Sequence, residues 1–264
     1  MTADDLTHDA FLAGRLTLDQ PRHGYRAGMD AVLLGAAAAG CAPATALEAG
    51  CGPGVALFSL AVRAPDAALC GLERDAAAAA LARANSAGNG LDARVRIEDG
   101  DVLAPPAALI GRFDLVFSNP PFFDDDSAIR APAPQRRAAY VIGAPLAAWI
   151  RAMGKLAAPK GRLLLIHRAD RLGDILAALE GLAGDIGVYP VRPRAGAPAK
   201  RVIVAARKGS RAPIRLLKGL DVHPDGPAAR FTEAYEAIAA GEAGIAVFFV
   251  AEPHPSLPHP RNRQ

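Results

Sequence analysis

Asn119, Pro120 and Pro121 follow the apolar run Phe113–Phe117 and Ser118, and Phe122 and Phe123 come next. An apolar run stopped by two prolines reads as a buried parallel strand ending in a rigid turn, because proline cannot donate to a sheet ladder. The turn then lies at a strand's carboxyl edge, where open α/β sheets bind ligands. It offers an amide side chain, carbonyls fixed by two proline rings and an aromatic face, a set suited to holding a planar amine. Taken alone, Asn-Pro-Pro is equally well an ordinary strand-to-loop exit.

What lies upstream favours the first reading. Thr45–Glu48 reads as a buried strand running into Glu48-Ala49-Gly50-Cys51-Gly52-Pro53-Gly54, and Val55–Val62 has helical character. Strand, glycine loop and helix in this order let a cofactor approach the backbone closely, since glycine has no Cβ and tolerates positive φ. The spacing is not the dinucleotide fingerprint, whose last glycine would fall at Val55. A second strand, Ala67–Leu72, ends at Glu73, placed to accept both hydroxyls of a ribose. A third, Arg94–Ile97, leads to Asp101, which could accept from an adenine amino group.

The elements needed to position these groups follow from the pattern. A hairpin around Leu16 and Leu18 precedes a helix Ala31–Ala39 with Asp30 as its N-cap. Helices follow at Asp75–Ala87, Pro145–Leu156 and Asp170–Leu182, with strands at Phe113–Phe117, Gly161–His167, Val188–Val191 and Arg201–Ala205. Trp149 reads as core and His167, alone at a strand end, as structural. The loop Asp124–Arg137 has the length of a lid or binding loop.

The chain has 264 residues, 51% of them hydrophobic and 22% charged, an ordinary globular composition. Cys41, Cys51 and Cys70 are odd in number and lack metal-ligand spacing, so neither a disulfide framework nor a metal site is expected. No signal peptide is read at the start, and Gly and Pro break the apolar stretch 31–62 into pieces too short to span a bilayer. A cytoplasmic location, no membrane contact and a monomer are expected. Between Asp185 and Asp221 there is no acid, while Arg192, Arg194, Lys200, Arg201, Arg207, Lys208, Arg211, Arg215 and Lys218 all fall there. Such a run reads as a phosphate surface, with a solvated hairpin as the plain alternative.

In their order, Glu48–Gly54, Glu73, Asp101 and Asn119-Pro120-Pro121-Phe122 resemble the class I S-adenosylmethionine-dependent methyltransferases. Within these the chain is most similar to the bacterial enzymes that methylate N6 of the adenosine just 3′ of the anticodon, position 37, in valine tRNA. The likeness runs from about Phe11 to Ala239 and includes Gln20–Asp30, Pro134-Gln135-Arg136, Lys208–Pro213 and Phe231–Tyr235. Phe122 stands where the family more often has Tyr, which removes a hydroxyl but keeps a stacking face.

The resemblance implies a Rossmann-like, mostly parallel α/β sheet of seven strands, with helices on both faces and the last strand antiparallel. It divides the chain into an N-terminal hairpin and helix (1–43), a methyltransferase domain (44–250) and a disordered tail (251–264). It implies S-adenosylmethionine as cofactor, held by Arg26, Gly28, Asp30, Glu48, Gly50, Gly52, Gly54, Glu73, Asp101 and Asn119, and tRNA as partner. Catalysis falls to Asn119, Pro120, Pro121 and Phe122, and RNA binding to Arg136, Arg137, Lys200, Arg201, Lys208, Arg211 and Arg215. Competing readings are an rRNA guanine-N2 or protein glutamine methyltransferase, or an inactive RNA-binding protein on the same fold. Only 47 residues precede Glu48, whereas the glutamine enzymes usually carry a helical domain there.

Overall fold

A computed structural model describes residues 5–23, 28–121, 146–226 and 230–248. Arg26, Phe122, Arg136, Arg137 and the tail expected to be disordered lie outside the described residues.

The chain opens with an antiparallel hairpin, β1 (Leu6–Phe11) and β2 (Leu16–Pro21), then α1 (Met29–Gly40). Next come β3 (Thr45–Ala49), α2 (Val55–Arg63), β4 (Ala68–Glu73), α3 (Ala76–Gly88), β5 (Val95–Asp99) and β6 (Phe113–Ser118). The second half holds α4 (Leu146–Leu156), β7 (Ala157–Arg168), α5 (Leu172–Leu179), β8 (Ala183–Arg194), β9 (Arg201–Lys208), β10 (Arg215–Leu216), β11 (Leu220–His223) and α6 (Glu233–Ala240).

The large sheet runs β10-β8-β9-β7-β6-β3-β4-β5, with β11 also paired to β8. β9 is antiparallel to both β7 and β8, and the other pairs are parallel. The expected seven strands are present, and β10 and β11 extend them along the outer edge of β8. From β3 the chain winds outward through β4 and β5, then returns to β6 and builds the other way. Right-handed crossovers in opposite directions put helices on opposite faces. Accordingly α1, α2 and the hairpin share an apolar layer with Leu115, Phe117 and Leu164, while α4 and α5 pack on Val116, Leu163 and Leu165. Within α1 every residue from Ala31 to Ala38 is buried, as a helix covered all round requires.

Three expectations change. α1 begins two residues earlier than the apolar run implies, so Gly28 is its N-cap and the Asp30 carboxylate, in the first turn, pairs with Arg201 at 2.8 Å. β8 is far longer than Val188–Val191: Gly184, Gly187 and Pro190 break its pattern, and its register with β9 shifts between Gly184 and Gly187. α5 is shorter than Asp170–Leu182, since Ala169–Arg171 forms a single tight turn before it.

The hairpin is held to the sheet domain by two asparagines one turn apart on α3. Asn85 accepts from the Asp19 amide (2.8 Å) and donates to the Asp19 and Pro53 carbonyls (3.0 Å each). Asn89 likewise accepts from the Thr17 amide (3.1 Å) and donates to the Thr17 carbonyl (2.7 Å). Alternate residues of β2 are thus read as a neighbouring strand would read them, while Leu16 and Leu18 point into the core. Asn85→Ala should leave a buried amide and two carbonyls without partners. It should lower unfolding free energy by about 2–4 kcal/mol, read from urea denaturation, with Asn89→Ala, at a more exposed site, costing less.

Candidate functional site

The carboxyl ends of β3, β4, β5 and β6 come together on one edge, beside the crevice between β3 and β6 where the winding reverses. The glycine loop leaves β3 there. The Gly50 and Cys51 amides donate to the Leu72 carbonyl at 2.8 and 3.2 Å, and the Gly54 amide closes the turn on Cys51 at 2.9 Å. Gly50, Gly52 and Gly54 all have positive φ (72°, 53° and 96°). A Cβ at Gly54 would drive into the Phe58 ring, whereas one at Gly52 would meet nothing within 4 Å. The first glycine property serves packing; the second leaves the loop open on the side a ligand would occupy.

Glu73 organises that loop. Its Oε2 accepts from the Gly52 amide and its Oε1 from the Asp75 amide, each at 2.9 Å, and Asp75 in turn caps α3 through Ala77 and Ala78. Each oxygen keeps a further lone pair for a hydroxyl. Glu48 lies beneath, 3% exposed, and its Oε2 has no hydrogen-bond partner among the described residues. Burial raises its carboxyl well above the ordinary range; the Leu57 backbone pulls the other way and the Glu73 charge adds to the rise. Asp101 follows β5 and accepts from the Leu103 amide at 2.9 Å.

On the other side of the crevice Ser118 ends β6, fully buried, with its hydroxyl on the Ala49 carbonyl at 2.6 Å. Asn119, half-buried, and Pro120, buried, follow at once. Asn119 and the glycine loop thus leave adjacent strands at the same edge. Gly28 and Asp30 stand at the start of α1, where Asp30 pairs with Arg201 at the start of β9. Trp149 is core, as its type and place in the helix suggested, but its bond to Ser118 was not foreseen; the one signal was a hydroxyl at the end of a largely apolar strand.

The basic run does not form one face. β9 runs against its neighbours, so Arg201 opposes Arg168 at the edge that carries the Asn119 turn, while Lys208 opposes Ala183 about 24 Å away at the far end of the strand. Lys208 donates to the Ala157 carbonyl at 2.7 Å, and Arg215 and Arg207 share Asp185 at 2.5 and 3.3 Å. Arg211 is exposed at that distant edge, and Lys200 is exposed at the one that carries the Asn119 turn. Strand direction therefore divides the run read as a phosphate surface between the two edges of the sheet.

The three cysteines are free and buried, with burial pushing Cys41 to about 12 and Cys70 to about 11. Among the described residues no helix is long and apolar enough to cross a membrane.

A sheet of this order, with a glycine loop after its first central strand and acids after the next two, is the architecture of class I methyltransferases. Residues 32–135 match the family profile described as the methyltransferase small domain. The chain is 42% identical over 175 residues to a tRNA1(Val) (adenine(37)-N6)-methyltransferase of Porphyromonas gingivalis, covering 63% of this chain and 68% of that one. It is 31% identical to the enzyme so named from Dickeya chrysanthemi, covering 74% and 78%. The crystal structure of a predicted O-methyltransferase from Agrobacterium tumefaciens superposes with a TM-score of 0.67 at 26% identity, over 82% of this chain and 98% of that one. The chain belongs to the tRNA1(Val) (adenine(37)-N6)-methyltransferase family.

The residues present fit S-adenosylmethionine, the cofactor of this class: an open glycine turn, a preset carboxylate at Glu73, and a buried carboxyl oxygen at Glu48 still lacking a partner.

His167, at the end of β7 and 3% exposed, carries a testable consequence. Burial, aided by the Arg171, Arg201 and Arg168 charges and opposed by Asp170, lowers its pKa to about 4. The unfolded chain binds a proton near pH 6.5 that the folded chain refuses until about 4, so stability is intact above 6.5 and falls as pH drops through that window. His167→Gln should remove on the order of 3 kcal/mol of that acid-side loss, measured as urea midpoints between pH 7 and 4.

Proposed function

We propose that this chain transfers the methyl group of S-adenosylmethionine to the exocyclic N6 of an adenosine in tRNA, position 37 of valine tRNA. The observation that carries this reading is the Asn119-Pro120-Pro121 turn, set directly across the β3–β6 crevice from the glycine loop. The cofactor supplies an activated methyl on a sulfonium. Glu73 receives its ribose hydroxyls, Asp101 its adenine amine, and the Gly50–Gly54 backbone its close approach. Gly28 and Asp30, at the start of α1, are assigned to the same cofactor, as is Arg26, which lies outside the described residues.

An exocyclic amine on an aromatic ring is a poor nucleophile because its lone pair is delocalised. Asn119 Oδ1 and the Pro120 carbonyl accept its two hydrogens and favour a pyramidal nitrogen, while Pro121 fixes the turn and Phe122 stacks on the base. Positioning and charge stabilisation then carry the rate without a dedicated base. An adenosine stacked in the anticodon loop must turn out to reach this site.

Valine tRNA incubated with the chain and labelled donor should gain one methyl on N6 of that adenosine, identified by nucleoside mass analysis. Methylation of guanine or of a protein glutamine instead would replace this reading. Asn119→Ala should abolish transfer while donor affinity, by calorimetry, stays within a few-fold; transfer near the wild-type rate would refute the role given to Asn119.

The tRNA backbone binds along the edge that carries the Asn119 turn, through Arg194 at the end of β8 and Lys200 of the β8–β9 connection; Arg136 and Arg137, outside the described residues, are assigned to the same RNA. Replacing Lys200 and Arg194 by glutamine should flatten the salt dependence of tRNA binding by roughly one to two units, at about 0.7–0.9 per phosphate contact. The same exchange at Lys208 and Arg211 should leave the slope unchanged, and the reverse result would move the RNA to the opposite edge.

A further inference from the structure

Trp149 is the chain's one tryptophan, 9% exposed on α4. Its indole N–H donates to Ser118 Oγ at 3.0 Å, and the Ser118 hydroxyl donates onward to the Ala49 carbonyl at 2.6 Å. The six-membered half of the ring lies 3.0 and 3.1 Å from where a Cβ on Gly50 would stand. One side chain therefore presses on the first glycine of the loop and, through a single hydroxyl, holds the residue before Asn119.

The place explains why a side chain is needed. The β3–β6 ladder ends at Glu48 opposite Phe117, and beyond that pair the two strands part toward the glycine loop and the Asn119 turn. Ala49 and Ser118 form the next level, where the serine hydroxyl stands in for a ladder hydrogen bond. A serine hydroxyl rotates freely unless both its proton and a lone pair are engaged. The indole N–H takes the lone pair and leaves the proton for Ala49.

We propose that Trp149, acting through Ser118, is a positioning residue for methyl transfer: it sets the spacing between the glycine loop and the Asn119 turn. The proposal rests on the N-methyl transfer reading above. In-line transfer is sensitive to that spacing, since a displacement of about 1 Å costs on the order of 100-fold in rate.

The test compares the full chain with Trp149→Phe, which keeps a ring against Gly50 and removes the N–H, with Ser118→Ala, and with the double variant. Single-turnover transfer to valine tRNA at saturating donor and tRNA should fall roughly tenfold in each single variant, the rate equivalent of one buried hydrogen bond. The double variant should fall no further, because both changes cut the same chain. Donor affinity should stay within about twofold throughout, as an effect on positioning rather than on uniform binding requires. A wild-type rate in Trp149→Phe, multiplied losses in the double variant, or a loss confined to donor affinity would each overturn the proposal.

A second readout does not depend on the acceptor. S-adenosylhomocysteine binding should shift the emission of this sole indole, and Ser118→Ala should alter that shift; emission indifferent to either overturns the proposal. A wild-type chain silent on tRNA but showing both emission changes would instead leave the relay standing and overturn the acceptor.

Discussion

The pairing of β3 with β6 is the constraint on which the rest depends. These two strands are far apart in sequence, yet Ala46, Leu47 and Glu48 lie in parallel register with Leu115, Val116 and Phe117. Because crossovers are right-handed, strands added outward from β3 and from β6 send their helices to opposite faces, which leaves a crevice where the two directions meet. The glycine loop and the Asn119 turn are the continuations of these two strands. Their proximity is a consequence of topology before any side chain is considered. What side chains add is the Ser118 hydroxyl on the Ala49 carbonyl and the Trp149 indole on that hydroxyl.

A loop with three positive-φ glycines needs external support, and it gets that support from polar groups that are themselves committed. Glu73 holds the Gly52 amide, Asn85 holds the Pro53 carbonyl, and Asn85 also reads the β2 edge. The N-terminal hairpin is therefore tied to the loop through one side-chain amide. Leu16 and Leu18 anchor the same strand in the layer formed by α1 and α2, so the contact is apolar on one side of β2 and hydrogen-bonded on the other. A hairpin alone is marginal in water; here it is stable as part of this shared core.

Local signals were legible in the sequence and long-range ones were not. The glycine loop, the acid at the end of β4 and the two-proline turn are contiguous motifs whose chemistry shows in the residues, and each sits at the edge expected of it. The Asn85–Asn89 clasp was invisible, because two asparagines in an alanine-rich helix look like weak helix formers until β2 lies beside them. Strand direction misled the charge reading: residues 201–208 are neighbours in sequence, but β9 carries them from one edge of the sheet to the other. Asp30, Asp185 and Asp221, all at or beyond the limits of the acid-free run, fold back onto Arg201, Arg215 and Arg192. A run without acids is therefore not a surface without acids.

Charge along the edge of the Asn119 turn leans acidic on one side and basic on the other. Glu48 and Glu73 lie at the ends of β3 and β4 and Asp101 just after β5, beside Arg74, whereas Arg168, Arg194, Lys200 and Arg201 gather where β7 and β8 end and β9 begins, with Asp170 and Asp30 paired to two of them. On the proposed reading a cationic donor and a polyanionic acceptor approach one crevice from opposite sides without competing for the same groups. Burial adds a refinement on the acidic side. It pushes the Glu48 carboxyl toward its neutral form, with the Glu73 charge adding to the rise, so the negative charge on that side is smaller than a count of its acids implies.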